Sequence, residues 1–434
     1  MRVKYHERRK ISVGTKVMLV IAPLVLIGSV LLLNLLSSGY WPDFSRTHTG
    51  IVSQKGNSTG ENRETGAVDG NRTTITDSDT GTNTAEHGKS GMTETRKVRH
   101  FTLTAAGTAV MEGDIRKNCY FEDVRIYDFS DVMSLLKTEL RSDVNILFIE
   151  NIIMDDEKVT DIIVPSSLTA MLKTAGFNMA ACGFSRAWDQ GQKGIAATRT
   201  NLQQQGITPL GIYESEEQNM IRIMDCGGIP TAFLQYTDTI QSGTRNKMIK
   251  QNEGRSVPAA DPEEIRADIE EARKQGAKAV IVLLNWGKKG GKQPEKNQRN
   301  LAQQIADAGA DLIIGSGSRY PQTAEYLSAG DRQVMCVWSL GTTLSGERKN
   351  TDWLSGYLFH AELILDENDS LHIQTPAYTP IYTWKSKLSG KLVFRCLPAN
   401  RLPPDGMDSD QESTMGKVAE VTRKALQGSP LQER

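Results

Sequence analysis

From Val17 to Tyr40 the chain runs 24 residues without a charged side chain, and Leu, Ile and Val dominate the run. A helix needs about 20 apolar residues to cross a hydrocarbon core, so the segment predicts one transmembrane helix at 17–40. Pro23 and Asn34 lie inside it and are tolerable there, because packing, water or an interfacial position satisfies the groups they disturb. Arg2, Lys4, Arg8, Arg9, Lys10 and Lys16 precede the run, whereas only Arg46 accompanies Asp43 just after it. The basic side stays cytoplasmic, so residues 1–16 are expected to form a cytoplasmic tail and the remainder to sit outside the cell membrane, single-pass. A cleaved signal peptide fits less well: its apolar region is about 7–15 residues with a small-x-small site, and Leu35-Leu36-Ser37-Ser38-Gly39 matches that poorly.

Residues 41–97 are mostly Gly, Ser, Thr, Asn, Asp and Glu. They hold too little apolar surface to offset ordering entropy and are read as a disordered linker. Asn57-Ser58-Thr59 and Asn71-Arg72-Thr73 match the glycosylation pattern, which arises by chance in such a stretch. Residues 401–434 are read as a second disordered tail, with a marginal helix from Met415 to Leu426. The formal charge of -1, from 51 basic and 52 acidic residues, gives no whole-chain field to attract nucleic acid. Five cysteines without a CxxC pair exclude a zinc knuckle and a redox motif; most are expected to be small buried apolar residues, and none to be bridged.

The folded part is placed at residues 98–400. Phe101 to Gly107, Val144 to Glu150, Asn178 to Gly183, Ala279 to Leu284, Asp311 to Gly315 and Val334 to Leu340 read as short, buried strands. Helices are expected at Leu168 to Ala175 after Ser166-Ser167, after Asp261-Pro262 as far as Lys274, and at Asn297 to Ala308 before Gly309. Ile221 to Cys226, Ile229 to Tyr236, Leu358 to Leu365 and Leu371 to Thr375 look like hairpin strands and suggest a second, partly antiparallel sheet. The alternation implies a layered α/β domain, in which ligands sit beyond the carboxyl ends of the strands.

The residues at those strand ends form an ordered set: Leu172-Lys173-Thr174-Ala175-Gly176-Phe177-Asn178, Trp188-Asp189-Gln190-Gly191-Gln192-Lys193-Gly194, Asn285-Trp286-Gly287, Asp307 through Gly315, and Trp338-Ser339-Leu340-Gly341. Over nearly all of residues 98–385 this order and spacing resembles the CapA family of poly-γ-glutamate capsule-biosynthesis proteins. The resemblance implies a metallophosphatase-like four-layer α/β/β/α sandwich. It also implies a site holding one or two metal ions through Gly-Asp, Asn-Leu-Glu, Asn-Asn-His, His-Trp-Gly, Gly-His-x-Pro-His and Ser-Leu-Gly-Asn. This chain instead has Gly107-Thr108, Glu150-Asn151-Ile152, Phe184-Ser185-Arg186, Asn285-Trp286-Gly287, Gly315-Ser316-Gly317-Ser318-Arg319 and Gly341-Thr342. Its six histidines, His6, His48, His87, His100, His360 and His372, fall outside these motifs, so an imidazole metal site of the family type cannot be assembled.

No metal and no cofactor is therefore expected. An all-oxygen Mg or Mn site from Asp114, Glu150, Asp155, Asp156 and Asp189 is the alternative. Arg186 and Arg319 put guanidinium groups where the resemblance implies imidazole, and Lys288 and Lys289 follow Trp286-Gly287. If they converge, Arg186, Arg319, Asn285, Trp286, Lys288 and Thr108 make an anion-binding site; otherwise Arg186 pairs with Asp189 or Glu150. Trp188, Trp286 and Trp338 line a groove or, as such residues more often do, pack the core and rim. For catalysis only Glu150, Ser185 and Asp189 are placed to act as base or nucleophile. The leading expectation is a membrane-anchored protein that assists synthesis or export of an anionic polymer such as poly-γ-glutamate. Its partners would be the polymer, the membrane and capsule-synthesis membrane proteins, with no nucleic acid. A divergent phosphoesterase or polymer hydrolase and a non-catalytic envelope scaffold are the alternatives.

Overall fold

The computed structural model describes residues 97–434 except 157, 215–219, 349 and 389. The expected cytoplasmic tail, transmembrane helix and nearly all of the linker lie outside the described residues. Among the described residues no helix is long and apolar enough to cross a membrane.

Four parallel strands open the domain: β1 (Arg99–Ala109), β2 (Val144–Ile149), β3 (Met179–Ala181) and β4 (Thr208–Leu210), with helices α1 (Ser167–Ala175) and α2 (Gly191–Gln204) between them. A hairpin of β5 (Arg222–Cys226) and β6 (Ile229–Thr237) starts a second sheet. It continues through α3 (Pro262–Lys274), β7 (Ala279–Asn285), α4 (Lys296–Asp307) and β8 (Leu312–Ser316) to the hairpin β9 (Ala324–Ala329) and β10 (Arg332–Val337). The chain then returns to the first sheet as β11 (Ser355–Leu365), β12 (Leu371–Leu388) and β13 (Lys391–Pro398), and ends with α5 (Ser409–Ala425). Among the described residues the sheets hold nine and six strands, in the orders β13-β12-β11-β1-β2-β3-β4 and β9-β10-β8-β7-β6-β5; short strands at Thr342–Leu344 and Gln432–Glu433 complete the larger one.

Side-chain alternation along the strands builds four layers. Leu103, Ile146, Phe148, Phe233, Ile281, Leu283 and Ile314 meet in the core between the two sheets. Leu147 faces the other way and packs with Leu168 and Leu172 of α1 and Ile195 and Leu202 of α2. Val280, Val282 and Leu284 pack outward against Ile265 and Ile269 of α3 and Ala302 and Ile305 of α4. The expected α/β/β/α order of layers is what these three cores describe.

Local signals act as read in two of the helices and differently in one. The Asp261 carboxylate accepts from the N–H groups of Glu263 and Glu264, and Pro262 opens α3. Gly309, at φ 109°, follows α4. At α1 no side-chain cap comes from Ser166; its N–H and Oγ both donate to Asp155, at 2.9 and 2.8 Å.

Two expectations need correction. The two hairpins do not share one antiparallel sheet: β5-β6 edges the second sheet, and β11-β12 belongs to the first, where β11 pairs antiparallel with β1. Residues 401–434 are not a disordered tail. Met415, Val418, Ala419 and Thr422 fall on one face of α5 and are buried, and the first three join Tyr382, Trp384 and Leu397 in a separate core cluster. Asp408 and Gln411 form a reciprocal capping box that starts the helix. Overall polarity hid a helix that needs only one apolar stripe.

All five cysteines are buried and unbridged. Burial pushes the Cys119 and Cys182 thiols up to about 12, so neither is a reactive thiolate near neutrality.

Candidate functional site

The carboxyl ends of the parallel strands in both sheets open at one edge, and four of the residues singled out in the sequence meet there. Thr108 lies near the end of β1, Glu150 follows β2, Asn285 ends β7 and Arg319 follows β8. The Thr108 hydroxyl is 3.0 Å from Ser316 Oγ, a direct link between the sheets, and 3.4 Å from Glu150 Oε1. Asn285 Nδ2 donates to the same Glu150 oxygen at 3.2 Å. Arg319 donates through Nη2 to Glu150 Oε2 at 2.8 Å and through Nη1 to Glu112 Oε1 at 3.2 Å. Ser345 Oγ donates to Glu112 Oε1 at 2.6 Å.

The cluster is largely out of water: the side chains of Arg319, Glu150 and Glu112 are 12%, 14% and 25% exposed. Burial alone would lower the Arg319 pKa, but the Glu150 and Glu112 carboxylates outweigh it and hold the group above its usual value. Arg319 is thus a permanent cation bridging two carboxylates, and one formal negative charge remains on the trio. Its backbone sits at φ 59°, a left-handed conformation that costs a residue with a Cβ. Gly317 at φ 110° turns the same loop, and Thr342 Oγ1 donates to the Arg319 carbonyl at 3.1 Å.

Beside this cluster lies a basic lip. Gly290 N–H donates to Ser318 O at 2.6 Å, and Gln322 Nε2 donates to Gly291 O at 2.9 Å, so the loop after β7 is fastened to the loop that carries Arg319. Lys288 is exposed. Lys289 stands 5.0 Å above the Trp353 ring, and Lys292 stands 5.1 Å above Tyr320 while pairing with Asp352 at 2.8 Å.

The remaining sequence candidates lie elsewhere or act otherwise. Arg186 is spent on Asp189, Nε to Oδ2 2.6 Å, in an exposed i,i+3 pair. Ser185 is exposed, and among the described residues no hydrogen bond or ion pair joins Ser185, Arg186 or Asp189 to Glu150, whose partner is Arg319, so the six-residue anion site does not assemble as one unit. Trp286 is fully buried, stacks on Trp338 with centroids 5.6 Å apart, and donates to the Trp338 carbonyl at 2.9 Å. It is core, as is Trp338. Gly315 makes that contact possible, since a Cβ there would lie 2.1 Å from the Trp338 carbonyl oxygen. Trp188 packs at the rim, with its indole N–H donating to Glu253 at 2.6 Å.

The residues present do not fit the metal ions that the resemblance implies. The guanidinium of Arg319 lies between the two carboxylates that could bind a cation, and Asn285 turns its NH2 group toward Glu150. Among the described residues no three His, Cys, Asp or Glu side chains converge to hold an ion. The alternative oxygen set does not gather either: Asp155 binds the start of α1, Asp156 accepts from Lys158 N–H, Asp189 holds Arg186, and Asp114 lies 3.4 Å from Lys385. Glu150 is also poorly placed as a general base, with both oxygens engaged. Glu112 and Ser345 are participants that the strand-end reading missed. Glu112 lies four residues past Thr108, in the loop that follows β1, so a search of that whole loop rather than the expected position would have found it.

A layered α/β domain with a polar cluster at the strand ends of two facing sheets defines the class. Within it, the family model described as "Bacterial capsule synthesis protein PGA_cap" matches residues 102–347, more than half of the chain, and the chain belongs to that family. The "PGA biosynthesis protein CapA" of Bacillus subtilis (strain 168) is 31% identical over 173 residues, 39% of this chain and 43% of the relative. The "Capsule biosynthesis protein CapA" of Bacillus anthracis is 26% identical over 174 residues, 39% of this chain and 40% of the relative. The chain thus aligns with less than half the length of either protein. Among solved structures, the NAD nucleotidase of Haemophilus influenzae is similar at 12% identity and a TM-score of 0.42, covering 77% of this chain and 64% of that one. The calcineurin-like phosphoesterase YfkN of Bacillus subtilis is similar at 12% identity and a TM-score of 0.40, covering 76% and 99%.

Proposed function

We propose that this chain is a membrane-anchored, extracytoplasmic protein that assists synthesis or export of an anionic capsule polymer such as poly-γ-glutamate, without metal catalysis of the family type. Membership of the capsule-synthesis family supports the process. The uncharged run at 17–40 with its basic flank supports the anchor, which would keep the domain where a polymer emerges beside capsule-synthesis membrane proteins. The observation that carries the polymer reading is the lip of Lys288, Lys289 and Lys292, fastened to the Arg319 loop at the strand-end edge. Closely spaced cations attract a polycarboxylate over a Debye length of about 10 Å in dilute salt. The engaged oxygens of Glu150 favour binding over hydrolysis at the same edge.

The test is titration of the full-length chain with poly-γ-glutamate, followed by calorimetry and by sizing of the recovered polymer. Binding is expected at about 50 mM salt, falling strongly by about 500 mM, with polymer length unchanged. The triple variant K288E/K289E/K292E should bind at least about tenfold more weakly, a loss of roughly 1.4 kcal/mol. Absence of binding would refute the reading, and shortened polymer would replace it with a hydrolase.

A further inference from the structure

The trio at the strand ends has the charge and ligand chemistry of a divalent-cation site with one substitution: a guanidinium takes the place of the ion. Glu112 and Glu150 approach from successive loops of the first sheet, and Arg319 reaches between them from the second. Each carboxylate meets a different nitrogen of the planar fork. Without the arginine, two largely buried carboxylates would face each other with a charge of -2 and no counter-ion, an arrangement that strongly favours uptake of a cation. Neutral oxygens stand against both carboxylates, the Thr108 hydroxyl against Glu150 and the Ser345 hydroxyl against Glu112, while Asn285, whose Oδ1 accepts from Thr239 at 3.0 Å, holds Glu150 through its NH2 group. Such hard ligands, with one or two carboxylates and no imidazole or thiolate, suit Mg²⁺ or Mn²⁺ and not Zn²⁺.

We propose that Arg319 is a tethered counter-ion closing a latent all-oxygen Mg²⁺/Mn²⁺ site, in which Glu112 and Glu150 are the charged ligands and Thr108 and Ser345 the neutral ones. The natural chain is then held in a metal-independent state by one side chain. Removing that side chain opens the site rather than merely damaging it. This inference is independent of the polymer reading, since it concerns bound metal and stability alone.

The test compares the full-length chain with its R319G variant, glycine being the residue that best accepts the left-handed backbone at this position. Thermal unfolding is followed with about 1 mM MnCl2, MgCl2 or ZnCl2, and bound metal is counted by elemental analysis after desalting. The natural chain should show no midpoint shift with Mn²⁺ or Mg²⁺ and carry no stoichiometric metal. R319G should melt lower without metal, gain about 3 °C or more with Mn²⁺, gain less with Zn²⁺, and retain close to one Mn²⁺ per chain. The double variant R319G/E150Q should lose that gain. If R319G does not fold in the absence of metal, recovery of its cooperative transition with Mn²⁺ but not with K⁺ at equal ionic strength supports the proposal. Stoichiometric Mn²⁺ in the natural chain overturns it, and so does an R319G chain, folded or unfolded, that gains nothing from Mn²⁺.

Discussion

Arg319 combines an unfavourable backbone with a favourable side chain. At φ 59° a residue with a Cβ is strained by about 1 kcal/mol or more, and what keeps an arginine there is the pair of carboxylates it bridges. Loss of one partner from such a largely buried pair costs about 3 kcal/mol. R319A should therefore destabilise the chain by about that amount in urea unfolding, and R319G should be about 1 kcal/mol more stable than R319A, because glycine relieves the backbone. Equal stability of the two variants would show that the backbone is unstrained. Buried His360 makes a second test. Its ring nitrogens lie 3.0 Å from Thr104 Oγ1 and 3.0 Å from Thr379 Oγ1, and burial, reinforced by Arg434 and Arg401, lowers its pKa from 6.5 to about 3. Between those values the unfolded chain binds more protons than the folded one, so the contribution is complete above about pH 6.5 and declines as pH falls toward about 3. H360Q should flatten stability against pH across that window, by on the order of 5 kcal/mol at most. An unchanged slope would mean that the imidazole charges freely in the folded state. Thr108, Glu150, Asn285 and Arg319 were legible as site residues because the ends of parallel strands converge wherever the sheets lie. For Trp286 and Arg186 the sequence offered both the site and the outcome observed, core packing and the Asp189 pair, since side-chain direction and the choice of ion-pair partner depend on packing that motif order does not encode.

The terminal helix α5 shows how an element can be stable while its composition looks disordered. Its stripe of Met415, Val418 and Ala419 covers Tyr382, Trp384 and Leu397, and Trp384 Nε1 donates to Gln411 Oε1 at 2.9 Å within the capping region. Val418 is fully buried. V418A should cost about 1–2 kcal/mol, and D408A, which breaks the cap, about 1 kcal/mol, both read from urea midpoints. If neither moves the midpoint, α5 contributes nothing to the folded domain. Strongly periodic segments such as α3 and α4 were placed correctly from the sequence, because Asp261, Pro262 and Gly309 mark their ends locally. The sheet membership of the hairpins was not, because a strand's partner across a long connection is chosen by the whole core. β11 joins β1 although about 250 residues separate them, and loop closure over such a span costs little more than over a shorter one.

The two sheets bring the loops after β1, β2, β7 and β8 to one edge, where guanidinium, carboxylate, amide and hydroxyl groups meet. A cation supplied by the chain holds the strand-end carboxylates, and three lysines stand beside them. On the function proposed above, this edge holds an acidic chain rather than cutting it, in the course of polymer synthesis or export. The most direct measurement is the amount of anionic polymer on cells of the parent bacterium whose gene for this chain has been deleted, before and after the gene is restored. The account predicts that surface polymer falls severalfold on deletion and returns with the restored gene. Unchanged surface polymer in the deletion strain would contradict it.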